Sequence, residues 1–119
     1  MPDISENIIT IKETLPPGVK LVAVSKTKSV AEILEAYNTG HRCFGENRVR
    51  ELMEKKDLLP NDIEWHLIGH LQTNKVKYIA PFISMIESVD SFRLLRVIDA
   101  EAAKTGMAIN CLLQIHIAE

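Results

Sequence analysis

Short apolar, strand-like runs begin at Lys20, His41, Ile63, Ser84 and Ala108, about every 20 to 25 residues, and a stretch of helical periodicity separates each from the next. That interval holds one strand and one crossover helix, so the sheet must be mainly parallel. The runs are Lys20 to Ser25, His41 to Gly45, Ile63 to Ile68, Ser84 to Val89 and Ala108 to Ile117. Helices are expected from Asp3 to Leu15, from Ser29 toward Gly40, from about Glu46 to Leu58, near Asn74 to Ala80, and from about Phe92 to Thr105. Ser29 with Glu32 three positions on forms a capping-box pattern, Ser91 or Asp90 sits where the last helix would be capped, and Gly106 sits where it would stop.

Two architectures accommodate five such units: an open doubly wound sheet of flavodoxin type, or part of a (β/α)8 barrel of about 250 residues. A flavodoxin-like domain normally finishes with a helix over its last strand, whereas this sequence of 119 residues stops just after an apolar strand. The expected fold is therefore α/β, a single truncated barrel domain over residues 1–119. Its last strand would keep an unpaired edge, a place for self-association.

Composition narrows the class further. With 46% hydrophobic and 25% charged residues the chain resembles ordinary globular proteins, and a net charge of -2 offers no basic cluster for nucleic acid. No apolar stretch approaches the roughly 20 residues of a membrane helix, and the N-terminus lacks a secretory pattern, so a cytoplasmic location without membrane contact is expected. Cys43 and Cys111 each lie in an apolar run and read as reduced core thiols.

The chemistry centres on Lys26. Strand parity places Val22, Val24 and Lys26 on one face, opposite Leu21, Ala23 and Ser25. In a barrel, Lys26 would project from the C-terminal end of the first strand, the rim where active sites lie, among valines. Desolvation there would disfavour the ammonium form, as an aldehyde-trapping lysine requires. The competing possibility is a solvated loop lysine, followed closely by Lys28.

Five blocks are also recognisable: Ala23 to Lys28 (AVSKTK), Phe44 to Asn47 (FGEN), Glu64 to Gly69 (EWHLIG), Leu71 to Lys77 (LQTNKVK) and Ser88 to Ser91 (SVDS). In order and spacing they resemble the pyridoxal phosphate homeostasis (YggS/PROSC) family, across nearly the whole chain. The resemblance implies a barrel similar to the N-terminal domain of alanine racemase, with Lys26 matching the lysine that holds pyridoxal 5'-phosphate (PLP) as a Schiff base. It implies a non-enzymatic role in vitamin B6 and amino-acid balance, with no catalytic residues. Asn47 matches the family's Glu-Asn pair and would hydrogen-bond the cofactor or fix the rim, unless it is simply a polar residue at a helix start. Val24 would line the site beside Lys26, Ile68 would pack on the ring, and Ser88 would contribute its hydroxyl. Glu46 would orient Asn47 or favour a helix start by its charge.

The glycines at 18, 40, 45, 69 and 106 are all isolated, so no phosphate-binding turn is visible; in the family that cup comes from later strands. His66 and His70 are four apart on a strand running into a turn, and no zinc motif is expected; His66 reads as a hydrogen-bonded barrel residue. A racemase-like enzyme using the same lysine would need a second acid or base, yet Tyr37 and Tyr78 fall on expected helices. A flavodoxin-like interaction module would want an acidic cluster where Ser25 and Lys26 stand.

Overall fold

The computed structural model of the chain describes residues 3–115; His116 and the end of the fifth expected strand lie outside them. Five helices and five strands alternate: α1 Ile4–Thr14, β1 Ala23–Val24, α2 Val30–Tyr37, β2 Cys43–Glu46, α3 Val49–Lys56, β3 Glu64–Leu67, α4 Val76–Ile79, β4 Met85–Val89, α5 Phe92–Thr105 and β5 Asn110–Leu113. A single 3-10 turn, Thr73–Lys75, runs into α4, so the expected short helix there is split into two pieces.

Local chemistry explains the helix ends. The Asp3 side chain accepts the Glu6 amide, and Ser29 and Glu32 complete the reciprocal capping box that opens α2. Ser91 caps Leu94, and Gly106 closes α5 at φ 71°, a left-handed conformation that disfavours any side chain with a Cβ. By contrast, β1 is only two residues long, much shorter than the apolar run that suggested it.

The strand order β1-β2-β3-β4-β5 is strictly sequential, and every neighbouring pair is parallel. A doubly wound flavodoxin-type sheet must reverse direction at a switch point, with order 2-1-3-4-5, so that alternative is excluded. Right-handed crossovers between sequential neighbours put all the helices on one side of the sheet, the arrangement of a barrel wall. The fold is thus part of a (β/α)8-type barrel.

Register then assigns the two faces. Ala23, Phe44 and Trp65 are aligned, as are Glu46, Leu67 and Ile86, and together with Leu52, Val76, Ile79, Leu94 and Ile98 the apolar members form the core beneath the helices. Val24, Gly45, His66 and Met85 are aligned on the opposite face. That second face is less covered: Val24 is half exposed, although Gly45 and His66 are buried.

Candidate functional site

The C-terminal ends of the parallel strands lie side by side. The Ser25 amide donates to the Gly45 carbonyl at 2.9 Å, and the Ile68 amide to the Glu46 carbonyl at 2.9 Å, so the residues that follow β1, β2 and β3 share one rim. Lys26, Asn47, Ile68 and Gly69 all sit just past the ends of those strands.

Lys26 occupies a tight turn. The Lys28 amide donates to the Ser25 carbonyl at 3.1 Å, enclosing Lys26 and Thr27, and Thr27 adopts φ 62°. Positive φ at the third residue of a turn is normally supplied by glycine or asparagine, and in a β-branched residue it is a strained conformation that its surroundings must enforce.

Those surroundings are a buried ionic network on the helix side of β1 and β2. Glu46 is wholly buried; its Oε2 accepts from the Ser25 hydroxyl and from Lys55 Nζ at 2.9 Å. Lys55, reaching in from α3, also donates to the Ser25 carbonyl at 2.7 Å and to Glu51 Oε2 at 2.6 Å. Glu51 Oε2 in turn accepts the Thr27 amide at 2.6 Å. One ammonium and two carboxylates therefore clamp both sides of Lys26, and they dictate where its side chain leaves the backbone. Glu46 Oε1 has no hydrogen-bond partner among the described residues.

Two expectations change here. Glu46 belongs to β2, not to a helix start, because strand parity turns it under α3 where Lys55 compensates its charge. Lys26 itself is exposed, as is Val24, so residues 3–115 do not supply the apolar shelter expected around its amine. The cause is geometric: Val24 and Lys26 belong to the face turned away from the helices, and β1 lies at the edge of the sheet.

The remaining expected residues divide. Ile68 is partly buried, and its methyls would lie 3.2 and 3.3 Å from any Cβ placed on Gly45, with a Val22 methyl at 3.1 Å, so Val22, Gly45 and Ile68 are packed together next to Val24. Asn47 is partly buried, with its backbone pressed against Gly69. Ser88 is buried, and its hydroxyl proton is donated to the Gly69 carbonyl rather than left for a ring. Its role in this geometry is to pin the turn after β3. Gly69 is required: an added Cβ would fall 2.3 Å from the Asn47 carbonyl oxygen, which is backbone and cannot swing aside. Gly69→Ala should cost about 1–3 kcal/mol by overpacking, read as a lower urea midpoint, and should displace Asn47.

Ser25, Glu51 and Lys55 are the residues that sequence reasoning missed. Lys55 stands in the polar run Glu54-Lys55-Lys56-Asp57 and looks solvated; only its spacing four after Glu51 hinted at a partner. The Lys55 ammonium and the Thr27 amide hold the Glu51 carboxyl below its usual range, and Lys20 does the same for Glu64. Because these folded-state values lie below the unfolded ones, their stabilisation is complete above the ordinary value of 4.5 and is lost as pH falls through the folded values. Urea midpoints should therefore be level near neutrality and drop below about pH 4.5; a midpoint unchanged into that range would show that neither pair matters.

His66 is hydrogen-bonded as expected, its Nδ1 lying 2.8 Å from Glu87 Oε2. Its Nε2 lies 3.3 Å from the sulfur of Cys43. Cys43 and Cys111 are free thiols, and burial pushes that of Cys43 up to about 11. No helix among the described residues is long and apolar enough to cross a membrane.

Comparison with known proteins gives this rim a context. Residues 1–118 match the family described as "Alanine racemase, N-terminal domain". The chain is 42% identical over 106 residues, 87% of its length and 49% of the relative's, to a pyridoxal phosphate homeostasis protein of Synechocystis. A structure of PipY from Synechococcus elongatus with PLP bound superposes with a TM-score of 0.92 at 40% identity, covering 98% of this chain and 56% of that one. Alanine racemase from E. faecalis shares the fold, with a TM-score of 0.67 at 19% identity over 85% of this chain and 27% of that one. The chain thus spans about half the length of the curated relatives it matches.

Proposed function

The chain belongs to the alanine racemase N-terminal domain family, and from that membership we propose that it binds pyridoxal 5'-phosphate on Lys26 and serves PLP and amino-acid homeostasis as a carrier, not as an enzyme. A single observation carries this choice of residue: the turn holding Lys26 is strained at Thr27 and clamped by the Glu46–Lys55–Glu51 network. An ordinary surface lysine needs no such support, and strain of this kind concentrates at functional sites.

The residues fit the aldehyde end of the cofactor. When bound, pyridoxal phosphate supplies an aldehyde able to condense with a primary amine. Lys26 offers that amine at the rim, exposed and engaged in no hydrogen bond or ion pair among the described residues. Val24, Asn47 and Ile68 border it on the same face and strand ends, as apolar wall, polar edge and apolar wall respectively. Ser88 acts through Gly69, whose turn it holds.

A racemase-like reading would need a second acid or base at the rim. Tyr37 lies on α2 and donates its hydroxyl to Asp62, which precedes β3 at the opposite end of the strands, and Tyr78 lies on α4. Neither position favours proton transfer at Lys26. A cytoplasmic location belongs to the same proposal. So does self-association beside β5, where Leu112, Leu113 and Ile115 are exposed, and sedimentation velocity across a concentration series tests it.

The site is tested by borohydride trapping. After reduction of the full chain mixed with equimolar PLP, peptide mass mapping should place the phosphopyridoxyl group on Lys26. Label spread evenly over Lys26, Lys28 and other exposed lysines would remove the case for a dedicated amine.

A further inference from the structure

The face of the sheet turned away from the helices holds a second cluster, which begins at the N-terminal ends of β2 and β3. Cys43 on β2 is register-paired with Glu64 on β3, and His66 follows two residues along the same face. One ligand atom from each of the three lies within 4.8 Å of the other two. We propose that Cys43, Glu64 and His66 form a binding site for a borderline-soft divalent cation of the zinc class.

Four observations support the assignment. A tetrahedral zinc with bonds of about 2.3 Å to sulfur and about 2.05 Å to nitrogen separates those atoms by about 3.6 Å, and Cys43 Sγ and His66 Nε2 already stand 3.3 Å apart. Glu87 on β4 holds His66 Nδ1 at 2.8 Å, so the ring turns its other nitrogen toward the sulfur. A carboxylate behind a metal-binding imidazole is the usual outer support of such sites, fixing both tautomer and ring plane. Burial is the third: Cys43 is 3% and His66 5% exposed, which shields thiolate and imidazole from competing water, whereas Glu64 is partly exposed and can adjust.

Charge is the fourth. With the thiol proton released to solvent as the sulfur–metal bond forms, Cys43, Glu64 and Glu87 bring three negative charges to the site, while of the nearby cations Lys20 pairs with Glu64 when no metal is present, Arg42 pairs with Asp62, and Lys12 lies at the wall of the recess. Lys12, Lys20 and Arg42 line a recess of about 200 Å³ beside Cys43 and Glu64, which opens that side of the site to solvent. A bound cation would tie β2 to β3 directly and to β4 through Glu87. The site does not depend on the Lys26 assignment, since it uses no residue of the rim.

Titration of the full chain with Co2+ tests it. One equivalent should produce a saturable thiolate-to-cobalt charge-transfer band in the near ultraviolet, displaced by Zn2+. Cys43→Ser should lose that band, and Glu64→Gln, altered at a partly exposed side chain and so able to fold, should keep it at saturation with an affinity at least about 10-fold weaker. Glu87→Gln should weaken binding about 10–100-fold without shifting the band. His70→Ala, which removes the exposed imidazole near Asp90, should change nothing. Absence of a saturable band in the parent chain, equal affinity in Glu64→Gln, or loss of binding in His70→Ala would each overturn the proposal. Circular dichroism confirms folding of every variant.

Discussion

Lys26→Ala is expected to abolish the visible absorbance that should develop when PLP is mixed with the full chain, while Lys28→Ala should leave it intact. Both lysines are exposed, so accessibility alone does not separate them. Separation comes from the backbone: Lys26 sits inside the turn closed by Ser25 and Lys28, and the strained Thr27 and its Glu51 contact fix its direction along the strand ends. An amine held where the reacting partner docks loses less freedom on condensation than one on a free loop. The expected effect is all or none for the saturable band, with weak, unsaturable reaction left over from other amines. Equal bands in the parent chain and in Lys26→Ala would remove Lys26 from the site, whatever the fate of the metal cluster.

The second large effect belongs to Lys55. Lys55→Met is expected to destabilise the fold by about 3–5 kcal/mol, the usual cost of leaving a buried charge without its partner. Glu46 would be that charge, since it is wholly buried and its only other side-chain donor among the described residues is the Ser25 hydroxyl. Against a total stability of about 5–15 kcal/mol for a domain, such a loss is severe. Glu51 is less affected, because its carboxylate is partly exposed and can turn to water. The paired variant Glu46→Leu/Lys55→Met should recover much of the loss in urea melts, since apolar residues of similar volume often replace a buried ion pair at little cost. Even so, it should bind PLP more weakly than the parent, because the Ser25 carbonyl would lose its Lys55 donor and Glu51, which accepts the Thr27 amide, would lose its anchor on Lys55. A loss under about 1 kcal/mol for Lys55→Met would mean that the network is not what stabilises the turn.

How much could be read in advance depends on distance along the chain. The helix Phe92–Thr105 was legible apart from the choice of Ser91 over Asp90 as its cap, because the cap candidates, the apolar stripe and Gly106 lie within one local segment. The capping box of α2 was legible for the same reason. Glu46 was not: the string Phe44-Gly45-Glu46-Asn47 looks like the start of a helix, and only pairing with β3 keeps Glu46 in the strand. The first strand was overestimated because Leu21 to Val24 is apolar throughout, yet only Ala23 and Val24 find a partner in β2.

The candidate site shows the same division. Lys26, Asn47 and Ile68 fall at strand ends by the alternation of strand and helix, although Asn47 and Ile68 were singled out by the family resemblance, and the rim they border follows from parallel pairing. The clamp on Lys26 joins Lys55 to a carbonyl 30 residues away, and Cys43 meets His66 across 23 residues. Sequence spacing carries no information about such meetings.

The sequence by itself determined the alternation of strand and helix, the helix caps and the placement of a lysine after the first strand, because each depends on periodicity or on hydrogen bonds within a few residues. Only the tertiary structure decided the strand order, which face each side chain takes across neighbouring strands, and which charges are buried together. Those depend on register, where a slip of one residue would exchange the two faces of the sheet and dissolve both clusters.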